Sequence, residues 1–469
     1  MSQLQPFDLG QVRDFAQSWS GDRQGLAAIA LAAVQALGAD AASQAAAQGL
    51  AEPGCVAVVC GQQPALGGGP LYNLIKAAAA IAWAQSLQEQ GLPAVAIYWC
   101  ASDDHDAGEA DHVDIVGRNG LLRRLRSPLP RPGLALHWQP AAPGLEMLAA
   151  AADQLPGSGL GRAWWQARQA ADGEGLGAWQ CRLLQACFPE SGLICIEARQ
   201  LRPLWSALAA ESLPRWPAAE LAQRRRELLS QGLPPAFGDL AYPPWFQDSQ
   251  DGRRPITPAE LDQRLRRNSQ DCSPGAALRP ILQQLALPAA IYCAGPGELA
   301  YHRFLSPIYP ALGALPPQLC PRPQISLHDG WLRRGLAAWG LSSAELAPAQ
   351  ALPRPIAAAD PSLDLLAQAH QDLAKLVQQA HDEDHQRRLR SGLERLGRLR
   401  HELQRSLERG ERRRANRPPI GHLRNWLYPR NVAQERVLSC WQALNQYGPE
   451  LVHRIQACLA AGEKDCKIS

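Results

Sequence analysis

The chain has no Cys-x-x-Cys pair. Its 12 cysteines stand singly along 469 residues, a pattern that gives no support to a structural zinc site or, at this length, to a disulfide framework. Reduced thiols in the cytosol are the plain reading. No apolar stretch approaches the roughly 20 residues that cross a bilayer; the most apolar run is Ala77 to Ala84. The first residues, Met-Ser-Gln-Leu-Gln-Pro-Phe-Asp, lack a basic start followed by an apolar run, so no secretory signal is expected. Net charge is only +3, which argues against a basic nucleic-acid surface over the whole protein. There is no Gly-x-Ser-x-Gly elbow, and no cysteine stands out as a nucleophile, since Cys100 and Cys293 fall in apolar strand-like runs.

What is present suffices for a folded core: 46% of residues are apolar and 19% charged. A soft prior of about 150 residues per domain gives two to four units. Residues 1–50 read as N-terminal helices. Cys55-Val-Ala-Val-Val-Cys60 then reads as a buried strand, Gly61 to Pro70 as a glycine-rich loop, Leu71 to Gln90 as a helix closed by Gly91, and Ala94 to Cys100 as a second buried strand. Strand, loop, helix and strand make a βαβ unit, whose ligand site belongs beyond the carboxyl ends of its strands. Val113 to Val116, Gly192 to Glu197 and Ala289 to Gly295 read as further strands, with a hairpin around Asp251-Gly252. The expected core therefore covers 51–340, with inserted connecting segments at about 118–190 and 230–275. Residues 341–361 are rich in Pro and Ala and read as a linker. From 360 to 469 the pattern is that of a helical coiled-coil arm: Leu389, Leu393, Leu396, Leu403 and Leu407 form a narrow apolar seam, and a return helix is expected from Asn431 to Leu459.

Three constellations fall at strand ends. The first is Gly61-Gln62-Gln63-Pro64 with Gly67-Gly68-Gly69-Pro70-Leu71-Tyr72, followed by Lys76. Glycine amides and a helix N-terminus suit an anion; a tight strand-to-helix turn explains the same residues. The second is Ser102-Asp103-Asp104-His105-Asp106 with Glu109, Asp111 and His112. Crowded carboxylates raise one another's pKa, which suits acid–base work, and histidine serves as base or metal ligand. A solvated acidic loop is the alternative, and the spacing matches no standard zinc motif. The third is Gly295-Pro-Gly297-Glu298-Leu-Ala-Tyr301-His302, with Arg279 and Arg322 in neighbouring segments. Either arginine suits a two-toothed contact with a carboxylate or an internal ion pair.

Together these motifs resemble the cysteine-adding ligases of bacillithiol synthesis, the BshC family. Gly-Gln-Gln-Pro-x-Leu-x-x-Gly-Pro-Leu-Tyr at 61–72 with Lys76, and Trp99-x-Ala-Ser-Asp-Asp-His-Asp106, are similar to its first two signatures. Ser273-Pro274, Leu278-Arg279-Pro280, Gly295 to Tyr301, Pro321-Arg322, Leu427-Tyr-Pro-Arg430 and Gln434-Glu-Arg436 resemble later blocks, in the same order over nearly the whole chain. The chain departs from the pattern at Asp103, where the family usually has Glu, at Ala107-Gly108, and at His302, where Trp is common.

The resemblance implies an α/β fold: a Rossmann-like parallel-sheet core with inserted connecting segments, related to the class I cysteinyl ligases, and a C-terminal helical coiled-coil arm. It implies that L-cysteine is joined through its carboxyl to the amine of glucosaminyl-malate. That condensation is uphill, so ATP is the implied activating cofactor, although neither HIGH nor KMSKS occurs. On this reading Asp104, His105 and Asp106 are catalytic. Gln62, Gln63, Tyr72, Lys76, Asp103, Arg279, Gly295, Gly297, Glu298 and Tyr301 bind substrate, and Gly67, Gly68, Gly69 and Pro70 cradle the cofactor. No metal, membrane or nucleic acid is expected, and the chain is expected to be a cytoplasmic homodimer through its C-terminal helices. Two other readings stay open: a metal-dependent hydrolase built on the Asp103–His112 cluster, and a non-catalytic dimeric scaffold, with nucleic acid on Arg412 to Arg414 as one use of it.

Overall fold

The computed structural model describes residues 6–117, 119–157, 159–205, 214–350, 352, 360–414 and 417–467. They fall into two units, one made of 1–328 with 433–468 and the other of 329–432. Most of the expected linker, and the side chains of Arg412 to Arg414, lie outside the described residues.

A five-stranded parallel sheet forms the centre of the first unit. Its strands are β1 (Val56–Gln62), β2 (Ala94–Cys100), β3 (Ile194–Glu197), β4 (Ala289–Ala294) and β5 (Gln318–Pro321). They lie side by side in the order β5-β4-β1-β2-β3. All but the last residue of β1, and every residue of β2, β3 and β4, is buried. This explains why these strands read as continuous apolar runs instead of alternating ones. The chain begins in the middle at β1, moves outward to β2 and β3, then returns to the other side of β1 for β4 and β5. The strand order thus reverses between β1 and β4, the place where open α/β sheets take their ligands.

The helix Tyr72–Glu89 joins β1 to β2 and packs on both, and the helix Glu450–Ala461 packs on it. It is alanine-rich and buried along most of its length. Small side chains keep helix propensity high while allowing close approach to the sheet. Lys76 is the charged exception in its buried part. Gly91, at φ 77°, ends the helix in the left-handed conformation. Three helices precede the sheet, each capped by an aspartate: Asp8 accepts from the Gln11 amide, Asp22 from Gly25 and Asp40 from Ser43. Each cap contributes about 1 kcal/mol.

The inserted segments carry small antiparallel sheets. His112–Val116 pairs with Leu122–Arg126, so Val113 to Val116 is a strand outside the parallel sheet. The Asp251-Gly252 hairpin forms as expected, with Trp245–Ser249 against Gly252–Pro255 and Cys272–Pro274 on the other edge.

In the second unit the long helix Glu383–Arg414 carries the leucine seam, and its partner is the upstream helix Pro361–Gln379, capped by Asp360. This corrects the expected return helix. Residues after Asn431 form two helices, Cys440–Tyr447 and Glu450–Ala461, which belong to the sheet unit. Trp441, Leu444, Leu451, Val452 and Ile455 make their buried faces too broad and too bulky for a narrow coiled-coil seam. No helix among the described residues is long and apolar enough to cross a membrane.

Candidate functional site

A cleft of about 500 Å³ opens over the carboxyl ends of β1, β2 and β4. From the glycine-rich segment after β1 it takes Gln62, Gln63, Tyr72 and Lys76, and from the acidic segment after β2 it takes Asp104 and Glu109. From the third constellation come Arg279, Gly295, Gly297, Glu298 and Tyr301, with Arg322 beside them. Three stretches of sequence that are far apart along the chain therefore share one cavity at the switch point.

Lys76 ties the two sides of that switch point together. Its buried ammonium donates to Gly61 O at 2.8 Å, Gln62 Oε1 at 3.3 Å and Glu298 Oε2 at 2.6 Å. Glu298 also accepts the Gly295 amide at 2.5 Å and the Tyr292 hydroxyl at 2.9 Å. The first of these is half of a capping box at the start of the helix Pro296–Leu305. Every donor position of the ammonium and both carboxylate oxygens are thus occupied, as burial of an ion pair requires.

Asp104 is similarly saturated. It accepts Gln63 Nε2 at 2.5 Å, Arg279 Nη2 at 2.9 Å and the His105 amide at 2.7 Å. Burial pushes its pKa up. The Arg279 charge and the hydrogen bonds outweigh that and hold the carboxyl well below the usual range. It is a fixed anion that orients Arg279 and Gln63.

His105 does not line the cleft. Its Nδ1 lies 2.9 Å from Arg253 Nη1. A guanidinium only donates, so Nδ1 accepts and the ring proton sits on Nε2. Arg253 is itself pinned by Ser273 Oγ and Pro274 O, both at 2.9 Å, and stacks over Phe246. Burial, then the Arg253 charge, lower the His105 pKa. In this geometry the imidazole is neutral and its accepting nitrogen is taken, which corrects its assignment as proton acceptor. Asp106 caps the short helix Ala107–Ala110 through the Gly108 amide at 2.8 Å and also stays outside the cleft.

Asp103 points elsewhere again. It is fully buried and receives Arg202 Nη2 at 2.5 Å, and the same guanidinium nitrogen donates to Asp248. His137 closes the knot, with Nε2 3.3 Å from Asp248 Oδ2 and Nδ1 3.1 Å from Ser102 O. Asp103 is therefore structural, not a substrate ligand. Asp103, His137 and Asp248 have ligand-type atoms close enough to share a cation, yet Arg202 already is that cation. Asp111 is held by Arg126 at 2.5 Å and by His112 at 3.1 Å. The acidic run thus disperses to separate partners, and its donor set does not converge as a hydrolytic metal centre needs.

The glycine loop requires a second correction. Gly67, Gly68 and Gly69 are buried, with φ of 65°, 80° and 71°. A Cβ on Gly67 would lie 2.8 Å from Trp441 Cβ, and one on Gly68 2.8 Å from Leu183 Cδ2. The Gly68 and Gly69 amides bond Ala65 O and Leu66 O, and the Leu71 amide bonds Leu438 O. The loop is filled by protein, and these amides are spent. Neither it nor Pro70 lines the cleft, so the residues there do not fit a nucleotide phosphate.

Several cleft residues escaped the sequence reading. Tyr292 and Gln283 are strand and helix positions without a distinguishing pattern, and Ala236 and Phe237 sit in a loop. Arg436 reaches the cleft from beyond the arm; only its place in the Gln434-Glu-Arg436 block hinted at it. His302 is buried and bonds the Tyr309 hydroxyl at 2.6 Å, stacking on Tyr301. It is a core histidine, so this departure lies behind the cleft wall.

A doubly wound parallel sheet with a charged cleft at its switch point defines a Rossmann-like small-molecule protein. The N-terminal Rossmann-like domain of bacillithiol biosynthesis BshC matches residues 7–235 and 246–323, and the C-terminal coiled-coil domain of BshC matches 357–468. The chain belongs to the BshC family. Its relatives carry the name "Putative cysteine ligase BshC". That of Koribacter versatilis is 28% identical over 85% of this chain and 81% of its own length. That of Desulforamulus reducens is 27% identical over 59% of this chain and 56% of its own. That of Thermus thermophilus is 31% identical over 56% and 55%. Across the first three relatives the match spans 56%, 59% and 64% of their length.

Proposed function

We propose that this protein joins the carboxyl of L-cysteine to the amine of glucosaminyl-malate in bacillithiol synthesis, acting in the cytoplasm as a homodimer through its C-terminal helices. The observation that carries the reading is the alternation of fixed charge in one cleft: Lys76 with Glu298, and Asp104 with Arg279. A zwitterionic amino acid and an amine that also bears carboxylates both need cations and anions at short spacing. The family name supplies the choice of cysteine.

Amide formation from a carboxylate needs activation, and ATP is the proposed source. No step is routed through it, because the glycine loop does not suit a phosphate. What the chain's own groups contribute is orientation. Arg279, fixed by Asp104, offers a carboxylate a preset donor, and Lys76 with Glu298 keeps the floor of the cleft rigid. The test is incubation of purified protein with cysteine, glucosaminyl-malate and ATP, followed by mass detection of the condensed thiol. Absence of that product with all three present rejects the assignment.

A further inference from the structure

The charged groups of the cleft divide into those already ion-paired within the protein and those whose side chains are not. Lys76, Glu298, Asp104 and Arg279 are bonded to one another or to backbone. Arg322 donates to Glu435 Oε1 at 2.8 Å and to Pro323 O at 3.2 Å. Glu109 and Arg436 line the same cleft. Among the described residues, neither side chain makes a hydrogen bond or an ion pair.

We infer that Glu109 is the proton acceptor of this cleft and Arg436 its anchor for a ligand carboxylate, an inference that rests on the ligase reading above. Both backbones are held while both side chains are left open. Glu109 lies in the short helix that Asp106 caps, the first helix after β2. Arg436 follows Gln434 and Glu435, which are buried and bonded to the Leu327 amide and to Arg322. A rigid base carrying an unengaged charged group is what a ligand-directed side chain needs. Burial, then the neighbouring charges of Asp106 and Asp104, push the Glu109 pKa up, with His112 opposing. That makes it a stronger base than an ordinary glutamate.

In the step, the acceptor's ammonium gives one proton to the Glu109 carboxylate, which becomes the carboxylic acid. The freed nitrogen lone pair forms the C–N bond to an activated cysteine acyl group carrying an oxygen leaving group. The acyl C–O bond breaks, its electron pair leaves on that oxygen, and the second nitrogen proton departs with it.

The test compares the full-length wild type with Glu109→Gln and Arg436→Gln. For Glu109→Gln, kcat is expected to fall about 100-fold at neutral pH with KM little changed. The deficit should shrink as alkaline pH deprotonates the amine in solution. For Arg436→Gln, KM for the carboxylate-bearing acceptor should rise about tenfold while kcat holds. Wild-type turnover and pH profile in Glu109→Gln overturn the first assignment, and an unchanged KM in Arg436→Gln overturns the second. NMR of glucosaminyl-malate labelled at its amine nitrogen reads the protonation state of the bound amine without needing turnover. Wild-type binding without condensation rejects the ligase reading alone. In that case, a bound amine that is neutral in the wild type but an ammonium in Glu109→Gln keeps Glu109 as acceptor, and identical protonation states in the two proteins remove it. No binding by the wild type removes both.

Discussion

Lys76 Nζ and Glu298 Oε2 meet at 2.6 Å, joining the helix after β1 to the helix after β4 across the point where the strand order reverses. Lys76 is 2% exposed and Glu298 16%. Removing one partner leaves the other charged and poorly solvated, a change that costs about 3 kcal/mol in buried pairs. Glu298→Gln should be the harsher change. It strands a buried ammonium, whereas Lys76→Met leaves Glu298 with the Gly295 amide and the Tyr292 hydroxyl. Urea unfolding of both single variants and the double variant checks this. The double should be less destabilised than the sum of the singles, and strict additivity would deny the coupling.

The glycine loop makes a contrasting prediction. Gly67→Ala places a side chain at φ 65° and 2.8 Å from Trp441 Cβ. Left-handed strain and overpacking together should cost about 2 kcal/mol or more. Because the loop is packed by protein, the loss should appear in the unfolding midpoint while the KM for ATP in any condensation assay stays within about twofold. A stable variant with a strongly raised nucleotide KM would restore the phosphate-cradle reading.

How far the sequence could be read follows from how local each signal is. The strands β1, β2 and β4 are legible because burial on both faces leaves continuous β-branched or apolar runs ending in glycine or polar residues. Their ends located Gln63, Asp104 and Glu298, since a parallel sheet places all carboxyl termini on one rim. β5 is not legible: Gln318-Leu-Cys-Pro321 is short and ends in proline. Side-chain direction is also hidden. Asp103 and Asp104 are neighbours in sequence, yet one enters a buried knot with Arg202 and the other faces the cleft. Arg253 and Arg202 choose their partners through tertiary packing, and nothing in their own neighbourhoods marks them.

His302 carries a pH prediction. Burial lowers its pKa from the ordinary 6.5 to about 4. The folded state therefore prefers the neutral ring, and the unfolded chain binds more protons between those two values. The resulting stability is fully present above pH 6.5, declines as pH falls, and is gone below about 4. The shift corresponds to about 3 kcal/mol. Chemical unfolding at steps from pH 7 to pH 4 should show this slope in the wild type. His302→Asn, which keeps an acceptor for the Tyr309 hydroxyl but cannot titrate, should lack that part of it. Equal slopes in the two proteins would count against the assignment.

Arg202 is the resident cation between Asp103 and Asp248, and its removal tests whether that is its role. In Arg202→Ala two buried carboxylates face one another beside His137, with Arg253 the one neighbouring guanidinium whose charge still acts on both. The uncompensated charge should destabilise the protein by about 3–5 kcal/mol at neutral pH. Asp103, His137 and Asp248 then hold ligand atoms all within 4.8 Å of one another, a donor set suited to zinc. Zinc binding the folded form alone would restore about 2.7 kcal/mol at a concentration 100-fold above its Kd. The expected outcome is a melting temperature that zinc raises and a chelator lowers in Arg202→Ala, with no response to either in the wild type. A wild-type protein whose melting temperature falls on chelation would show that the guanidinium shares the site with a metal ion.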